Sequence, residues 1–321
     1  MVFRQEITHL SDRCTLWVTG TELWRWRRTA LEAAQSADIA AAEIDWFLQE
    51  LTGLDRLRLY TLQDCPQIQI PYPLSEFSKL WDLRTHQRVP IQYLTGTTPW
   101  RHFSLAVSPA VLIPRPETEL LIDLAIALAP TFLSDIAVPM HWVDLGTGSG
   151  AIALALNHAF PQATIHAVDY SPEALRIARY NAERQGLGGD RIQWYQGSWW
   201  EPLTALRGKL LGMVSNPPYI PSQMIAQLQP EVAWHEPHLA LDGGADGLGC
   251  IRHLVQGAPD YLQTGGLWLV EMMAGQAATV VDLLTAQGDY TSIQVHRDLA
   301  GIDRFVSAVT QPRSGVSACP K

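Results

Sequence analysis

The C-terminal part of the chain alternates between short apolar runs and longer amphipathic stretches. Short apolar runs bounded by turn residues are typical of buried strands, whereas apolar residues at every third or fourth position are typical of helices. From residue 141 onward the alternation predicts a mostly parallel sheet built from β-α-β units. The predicted strands cover residues 141–145, 164–168, 191–195, 211–215, 266–271, 292–296 and 304–309. The predicted helices between them cover residues 150–158, 172–186, 247–264 and 274–287.

Residues 20–88 have a helical pattern instead. One amphipathic segment covers residues 39–51 and is followed by Gly53, a residue suited to end a helix. A second covers residues 74–88. The basic and aromatic cluster Trp24–Arg28 has two interpretations, a nucleic-acid patch or a helix with tryptophans in the core and arginines in water. The second is favoured, because isolated basic clusters are usually solvated faces.

The junction between these two parts is rich in β-forming residues. Residues 91–94 and 103–107 are separated by the turn-forming sequence Gly96-Thr97-Thr98-Pro99, a pattern typical of a β-hairpin with a longer loop. A further helix is predicted to begin near Pro116 and to end at Pro130. The predicted organisation is a helical domain over residues 1–89, a hairpin linker over 90–113, an α/β domain over 114–310 and a flexible tail over 311–321.

Composition excludes several classes of protein. A length of 321 residues favours two domains, and 47% hydrophobic with 17% charged residues is typical of a globular chain. The net charge of -9 counts against a large nucleic-acid interface. No apolar run is long enough to span a membrane, and the first residues lack a signal-peptide pattern, so we expect a cytoplasmic protein without membrane contact. The four cysteines form no CxxC pair, so neither a disulfide framework nor a metal site is expected.

A glycine-rich turn follows the first predicted strand of the sheet. Asp144-Leu145-Gly146-Thr147-Gly148-Ser149-Gly150 leads directly into a predicted helix. Glycines let the backbone approach a ligand closely, and a helix N-terminus offers unpaired N–H groups. The spacing G-x-G-x-G behind an aspartate differs from the dinucleotide pattern G-x-G-x-x-G and fits a nucleoside carrying an amino-acid group better than a pyrophosphate.

The next two strand ends also carry ligand-binding chemistry. Asp169 ends the second strand and is placed to accept hydrogen bonds from two ribose hydroxyls. After the third strand come Ser198 and Trp199. Trp199 is either a core residue or a wall for an adenine ring, and the sequence leaves both open.

The fourth strand runs into Asn216-Pro217-Pro218-Tyr219. Two prolines donate no backbone hydrogen bonds, so their carbonyls stay available as acceptors. Together with the Asn216 amide they would form a polar clamp for an N–H group, beside the Tyr219 ring. Since ligands of open α/β sheets bind at the carboxyl ends of the strands, the combination favours methylation of a planar nitrogen with S-adenosylmethionine.

The sequence resembles the bacterial peptide chain release factor glutamine methyltransferases. The residues that carry the resemblance are Pro90 to Tyr93 with Gly96, Ile113 to Glu119, the glycine turn, Asn216 to Ile220, Glu236-Pro237 with Ala240-Leu241, Gly243-Gly244, and Asp298 to Gly301 with Asp303-Arg304. Many members of the family have Asp before the tryptophan, where this chain has Ser198.

The resemblance implies a Rossmann-like class I methyltransferase sheet with a small N-terminal helical domain. It implies that the N5 amide nitrogen of the Gly-Gly-Gln glutamine of class-I release factors is methylated, in translation termination. The implied cofactor-binding residues are Asp144, Gly146, Thr147, Gly148, Ser149, Gly150, Asp169, Trp199 and Asn216, with no metal. The implied substrate-binding residues are Asn216, Pro217, Pro218 and Tyr219.

Within that reaction the expected catalytic residues are Asn216, Pro218 and Tyr219. The Asn216 oxygen and the Pro218 carbonyl would accept the two amide N–H groups, and the Tyr219 ring would stack on the flat amide. Glu117 and Glu236 are candidates for supporting polar contacts. Two other functions stay open: an N6-adenine methyltransferase, which would need a basic channel to hold a flipped base, and a non-catalytic binding module on the translation machinery.

Overall fold

The computed structural model describes residues 16–129 and 140–312. The chain divides into two compact units, Met1–Thr97 and Thr98–Lys321. The predicted flexible tail falls outside the described residues from position 313 onward, as does Pro130, the predicted end of a helix. Within the two described ranges, no helix combines the length and apolar character needed to cross a membrane.

The N-terminal unit is mainly helical, as its periodicity predicts. Its helices are α1 (Gly20–Ser36), α2 (Ala41–Thr52), α3 (Arg56–Tyr60), α4 (Leu74–Gln87) and α5 (Ile91–Thr95). Thr19 and Glu22 form a reciprocal capping box at the start of α1, and Gly53 ends α2 with a φ of 69°. Two antiparallel strands, β1 (Leu16–Val18) and β2 (Ile68–Ile70), were not predicted, because three residues carry too little alternation to be recognised.

Aromatic rings form the core of this unit. Trp26 packs on Phe47 and Phe77, with ring centroids 5.9 and 5.6 Å away. Trp24 and Trp26 are both half-buried, but Trp24 lies 5.1 Å beneath the guanidinium of Arg28 on its own helix. The cluster is helical as predicted, and Trp26 packs at the edge of the aromatic core, whereas neither tryptophan is fully buried in it.

The predicted first strand of the hairpin, residues 91–94, is wrong. These residues form α5, which begins after Pro90 and ends at Gly96 with a φ of 77°. Proline before the first turn and glycine after the last are strong helix boundaries, and they override the β propensity of the residues between them. The hairpin itself pairs β3 (Thr97–Trp100) with β4 (Phe103–Ala106), so part of the predicted loop is a strand.

The second unit contains a seven-stranded sheet, close to the predicted one. Its strands are β5 (Met140–Leu145), β6 (Ala163–Asp169), β7 (Ile192–Gln196), β8 (Leu210–Ser215), β9 (Leu262–Glu271), β10 (Tyr290–Arg297) and β11 (Asp303–Thr310). Their order is β10-β11-β9-β8-β5-β6-β7, and the strands from β9 to β7 are parallel. β11 pairs antiparallel with both β9 and β10. The carboxyl ends of β5, β6, β7 and β8 therefore meet at one edge.

Helices cover both faces of this sheet. The helices of this unit are α6 (Leu120–Leu128), α7 (Ala151–Ala159), α8 (Pro172–Arg184), α9 (Pro230–His235), α10 (Gly249–Tyr261) and α11 (Ala277–Gln287). Ser171 caps α8 by accepting a hydrogen bond from Ala174 N. One apolar core contains Trp142 and Phe305, and the opposite one contains Trp268 and Val306. Because β8 is buried along its whole length, the residues that follow it are held firmly at the sheet edge.

Candidate active site

Asp144 lies beneath the glycine turn and is fully buried. Its Oδ2 accepts hydrogen bonds from Thr147 Oγ1 at 2.5 Å and from Ala153 N at 3.0 Å, while its Oδ1 has no partner. Burial raises the pKa of Asp144 to about 7, although the two hydrogen bonds act in the opposite direction. Through these two hydrogen bonds, Asp144 holds the glycine turn in its conformation.

The turn presents only some of its residues to a cavity. Gly146 and Gly148 line it. Thr147 and Ser149 are buried. Gly150 has a φ of 85°, and a Cβ placed on it would lie 3.0 Å from the Cβ of Ala178, so any side chain here would push α8 away. The glycine turn is thus a close contact with α8 on one side and a cavity wall on the other.

Asp169 stands at the carboxyl end of β6, where the sequence predicts a ribose-binding carboxylate. Its Oδ2 accepts from Gly148 N at 2.8 Å and its Oδ1 from Ser171 N at 2.9 Å. Burial raises the pKa of Asp169, and the backbone hydrogen bonds partly offset the rise. Asp169 also lines the cavity, so the carboxylate is held by the backbone while it faces a ligand space.

Trp199 lines the cavity, and it also packs against the edge of the core that contains Trp268. Its backbone has a φ of 50°, and a Cβ built on Gly146 would lie 3.6 Å from its ring. The residue that fills the core is its neighbour Trp200, which is buried and stacks on Tyr261 at 4.9 Å. Ser198 also lines the cavity.

The cavity has a volume of about 530 Å³. Drug-sized ligands and cofactors occupy pockets of roughly 300–1,000 Å³. It extends from the glycine turn past Asp169 and Trp199 to Asn216 and Pro218. The ends of four neighbouring strands therefore line one space, as the sequence predicts, and this space is large enough for a nucleoside that carries an amino-acid group.

Asn216 follows β8 directly and is half-buried at the cavity. Its Nδ2 donates to Thr118 Oγ1 at 3.1 Å, and Thr118 Oγ1 donates to Glu271 Oε2 at 2.7 Å. Pro217 is buried, whereas Pro218 lines the cavity. The amide of Asn216 is thus anchored at its nitrogen.

Tyr219 makes a different contact from the one predicted. Its hydroxyl donates to Glu271 Oε1 at 3.0 Å, and its carbonyl accepts from Gln276 Nε2 at 3.0 Å. Burial, followed by the negative charge of Glu271, raises the pKa of Tyr219. Tyr219 is not among the residues that line the cavity, so its stacking on a substrate stays a prediction.

The sequence did not predict a role for Thr118 or Glu271, the two residues hydrogen-bonded in series to the Asn216 amide. Glu271 is a carboxylate at the end of an apolar strand, and that position was the available signal. Of the two glutamates that were proposed as supports, Glu236 is buried and pairs with Arg115 over 2.7 Å. Glu117 is exposed.

The sheet order, the glycine turn and the acceptor residues at the sheet edge define a Rossmann-like methyltransferase. A family model described as methyltransferase small domain matches residues 123–234, and one described as PrmC N-terminal domain matches residues 22–96. The chain is 53% identical over 299 residues to the release factor glutamine methyltransferase of Synechocystis sp., covering 91% of this chain and 98% of that protein. It is 45% identical over 287 residues to the one from Thermosynechococcus vestitus, covering 89% and 97%. The chain belongs to the release factor glutamine methyltransferase family, and it is an enzyme.

Solved structures support the fold. The catalytic domain of hMettl16, in complex with MAT2A 3'UTR hairpin 6, aligns with a TM-score of 0.51 over 74% of this chain and 81% of that chain. The two are 15% identical in sequence. A likeness at this level shows a shared fold and carries no information about the substrate.

Proposed function

We propose that this protein transfers a methyl group from S-adenosyl-L-methionine to the N5 amide nitrogen of the glutamine in the Gly-Gly-Gln motif of class-I peptide chain release factors. The observation that carries the proposal is the orientation of Asn216. Its Nδ2 donates to Thr118, so its Oδ1 is left as an acceptor at the cavity that Asn216 lines. The names of the similar proteins supply the substrate, a release factor glutamine.

The cavity fits the proposed cofactor. Gly146 and Gly148 leave space at its wall, Trp199 offers a flat ring, and Asp169 offers a carboxylate. Both Asp169 oxygens accept backbone N–H groups, and a carboxylate has about four acceptor sites, so acceptor capacity remains for a ribose. When bound, S-adenosylmethionine supplies a methyl group from its sulfonium sulfur, which is left as a neutral thioether. The acceptor nitrogen would lose one proton to solvent, so the product is a neutral N5-methyl amide.

The residues after β8 would make the acceptor amide reactive. An amide nitrogen is a poor nucleophile, because its lone pair is delocalised into the carbonyl. The Asn216 Oδ1 and the Pro218 carbonyl would accept its two N–H hydrogens and leave the lone pair directed toward the methyl group. Neutral acceptors suffice, since positioning can supply about 7–11 kcal/mol of a barrier, and oriented dipoles add to this.

The N-terminal unit is assigned to recognition of the release factor surface. A glutamine side chain is too small to hold itself in line, so contacts remote from the reacting atoms must provide binding energy. Leu57 and Tyr60 are large, exposed side chains on α3 that suit a protein surface. With a translation factor as substrate, we expect the reaction to take place in the cytoplasm.

Mass spectrometry of a release factor treated with the enzyme and S-adenosylmethionine tests the proposal. The expected result is one added methyl group on the glutamine of the Gly-Gly-Gln peptide. A release factor with that glutamine replaced by asparagine and the Asn216→Ala enzyme are matched controls. Methylation of an adenine oligonucleotide in place of the release factor would favour the N6-adenine alternative and overturn the proposal.

A further inference from the structure

Glu271 sets the direction of the hydrogen bonds beneath the acceptor site. It is the last residue of β9 and is 1% exposed. Two hydroxyl groups contact its carboxylate, Thr118 Oγ1 at 2.7 Å and the Tyr219 hydroxyl at 3.0 Å. An ionised carboxylate has acceptors and no donor, so both hydroxyls must point their hydrogens at it.

The Thr118 hydroxyl donates its hydrogen to Glu271. A threonine hydroxyl has one hydrogen, so toward Asn216 the Thr118 oxygen can only accept. The atom of Asn216 that lies 3.1 Å from it must therefore be the nitrogen, Nδ2. The chain of hydrogen bonds runs in one direction, from Asn216 to Thr118 to Glu271, and Oδ1 is the end of the amide that remains for the cavity.

We propose that Glu271, acting through the Thr118 hydroxyl, is a positioning residue that holds the Oδ1 of Asn216 toward the acceptor amide. This role rests on the proposed function, because a glutamine side chain presents an N–H₂ group that needs an acceptor. If Asn216 turned over, its own N–H₂ would face the N–H₂ of the substrate, and neither could accept. Burial raises the pKa of Glu271, whereas the two hydroxyl hydrogen bonds and the positive charge of Arg304 act in the opposite direction and favour the ionised carboxylate.

A change of Glu271 to glutamine should reverse the chain. The hydrogen of the Tyr219 hydroxyl needs an acceptor, so we expect the glutamine oxygen to face Tyr219 and its nitrogen to donate to Thr118. Thr118 would then donate to Asn216, and Asn216 would satisfy it only by turning its Oδ1 away from the cavity. We expect Glu271→Gln to lower kcat by about a hundredfold, the cost of losing one oriented partner, with no loss of cofactor affinity by calorimetry.

The second single variant, Asn216→Asp, should fail for the opposite reason. It places a carboxylate oxygen against the Thr118 oxygen, whose hydrogen is already given to Glu271, so we expect a similar fall in kcat. In the double variant, however, the new amide at position 271 donates to Thr118, and Thr118 donates to the new carboxylate at position 216. The other oxygen of that carboxylate then faces the cavity as an acceptor, and the hydrogen-bonded chain still contains one carboxylate. The double variant should therefore recover kcat by about tenfold or more over either single variant.

The experiment is a double-mutant cycle on the full-length enzyme, with a release factor as substrate. Recovery in the double variant supports the positioning role, because loss of packing alone would make the two changes additive or worse. A double variant as slow as the slower single variant, or a Glu271→Gln enzyme with unchanged kcat, would overturn it. A wild-type enzyme that binds cofactor and leaves the glutamine unmodified would overturn the proposed function itself, and the positioning role with it.

If Glu271→Gln or Asn216→Asp prevents folding, a second pair of variants at Thr118 tests the positioning role. Thr118→Val removes the hydroxyl at nearly constant shape and should lower kcat by about tenfold or more. Thr118→Ser keeps the hydroxyl and should stay close to wild type. Equal kcat values for the folded valine and serine variants would contradict a relay through this hydroxyl.

Discussion

The backbone N–H of Gly148 donates a hydrogen bond to the Oδ2 of Asp169 over 2.8 Å. Gly148 belongs to the turn after β5, whereas Asp169 ends β6, so the bond joins two neighbouring strand ends. Asp169 therefore shapes the glycine turn in addition to facing the cavity. A change at this residue should disturb both.

Asp169→Ala is expected to weaken binding of S-adenosylmethionine by at least about tenfold in calorimetry. Hydrogen bonds to charged groups are worth about 1.5–3 kcal/mol each, and about 1.4 kcal/mol corresponds to a factor of about ten. Asp169→Asn keeps one acceptor oxygen without the charge, so its affinity for S-adenosylmethionine should lie between that of the wild type and that of Asp169→Ala. Unchanged affinity in the alanine variant would remove Asp169 from the cofactor site.

Asn216→Ala is expected to lower kcat by about 10²–10³ while the protein stays folded and binds cofactor. The reason is the loss of one oriented acceptor for the transition state. Single-turnover kinetics on a release factor measures the effect, with calorimetry as the control for cofactor binding. A near-normal rate would contradict the acceptor role.

The buried carboxyl of Asp144 should make stability depend on pH. Its pKa is about 7 in the folded protein, against an ordinary value of 3.8. The folded state therefore holds this proton more tightly than the unfolded state, and the free energy of unfolding should fall as the pH rises from about 4 to about 7. Each unit by which the folded pKa exceeds the unfolded one is worth about 1.4 kcal/mol.

Urea denaturation of Asp144→Asn without cofactor tests this expectation. Asparagine does not titrate, so the fall in stability over this pH range should be shallower than in the wild type. Asp190→Asn, a change at an exposed position, is the matched control. Equal slopes for the wild type and Asp144→Asn would show that Asp144 is already ionised throughout the range.

The exposed side chains on α3 provide a test of substrate docking. The double variant Leu57→Ser with Tyr60→Ser should lower kcat/KM for an intact release factor several-fold, because remote contacts supply binding energy. Its kcat/KM for a short Gly-Gly-Gln peptide should not change. Ile126→Ser is the control, because Ile126 is a half-exposed apolar side chain on α6. Equal losses on both substrates would argue against a docking role for α3.

The centre of the sheet could be predicted from the sequence because strands such as β8 are buried runs of apolar residues. The same local reasoning failed at residues 91–94, where β-forming side chains lie between Pro90 and Gly96 and form a helix. The boundary residues Pro90 and Gly96, rather than the residues between them, determine the secondary structure of this segment.

The site could be predicted only as far as single strand ends reveal it. Asp169 and Asn216 end strands and carry a recognisable polar group. Thr118 and Glu271 are 153 residues apart in sequence, and their contact depends on the packing of α6 against β9, which no local pattern reports. The Tyr219 hydroxyl was missed for the same reason, because its partner is a distant buried carboxylate.

The position of β11 between β9 and β10 has a consequence for how the enzyme is made. β9 is completed on one side only when a hairpin from later in the chain docks against it. Until then it has an open apolar edge, the kind of surface on which chains aggregate. The same docking brings Arg304 beside Glu271. Activity should therefore depend on this docking, because Glu271 stands at the end of the strand that the hairpin completes.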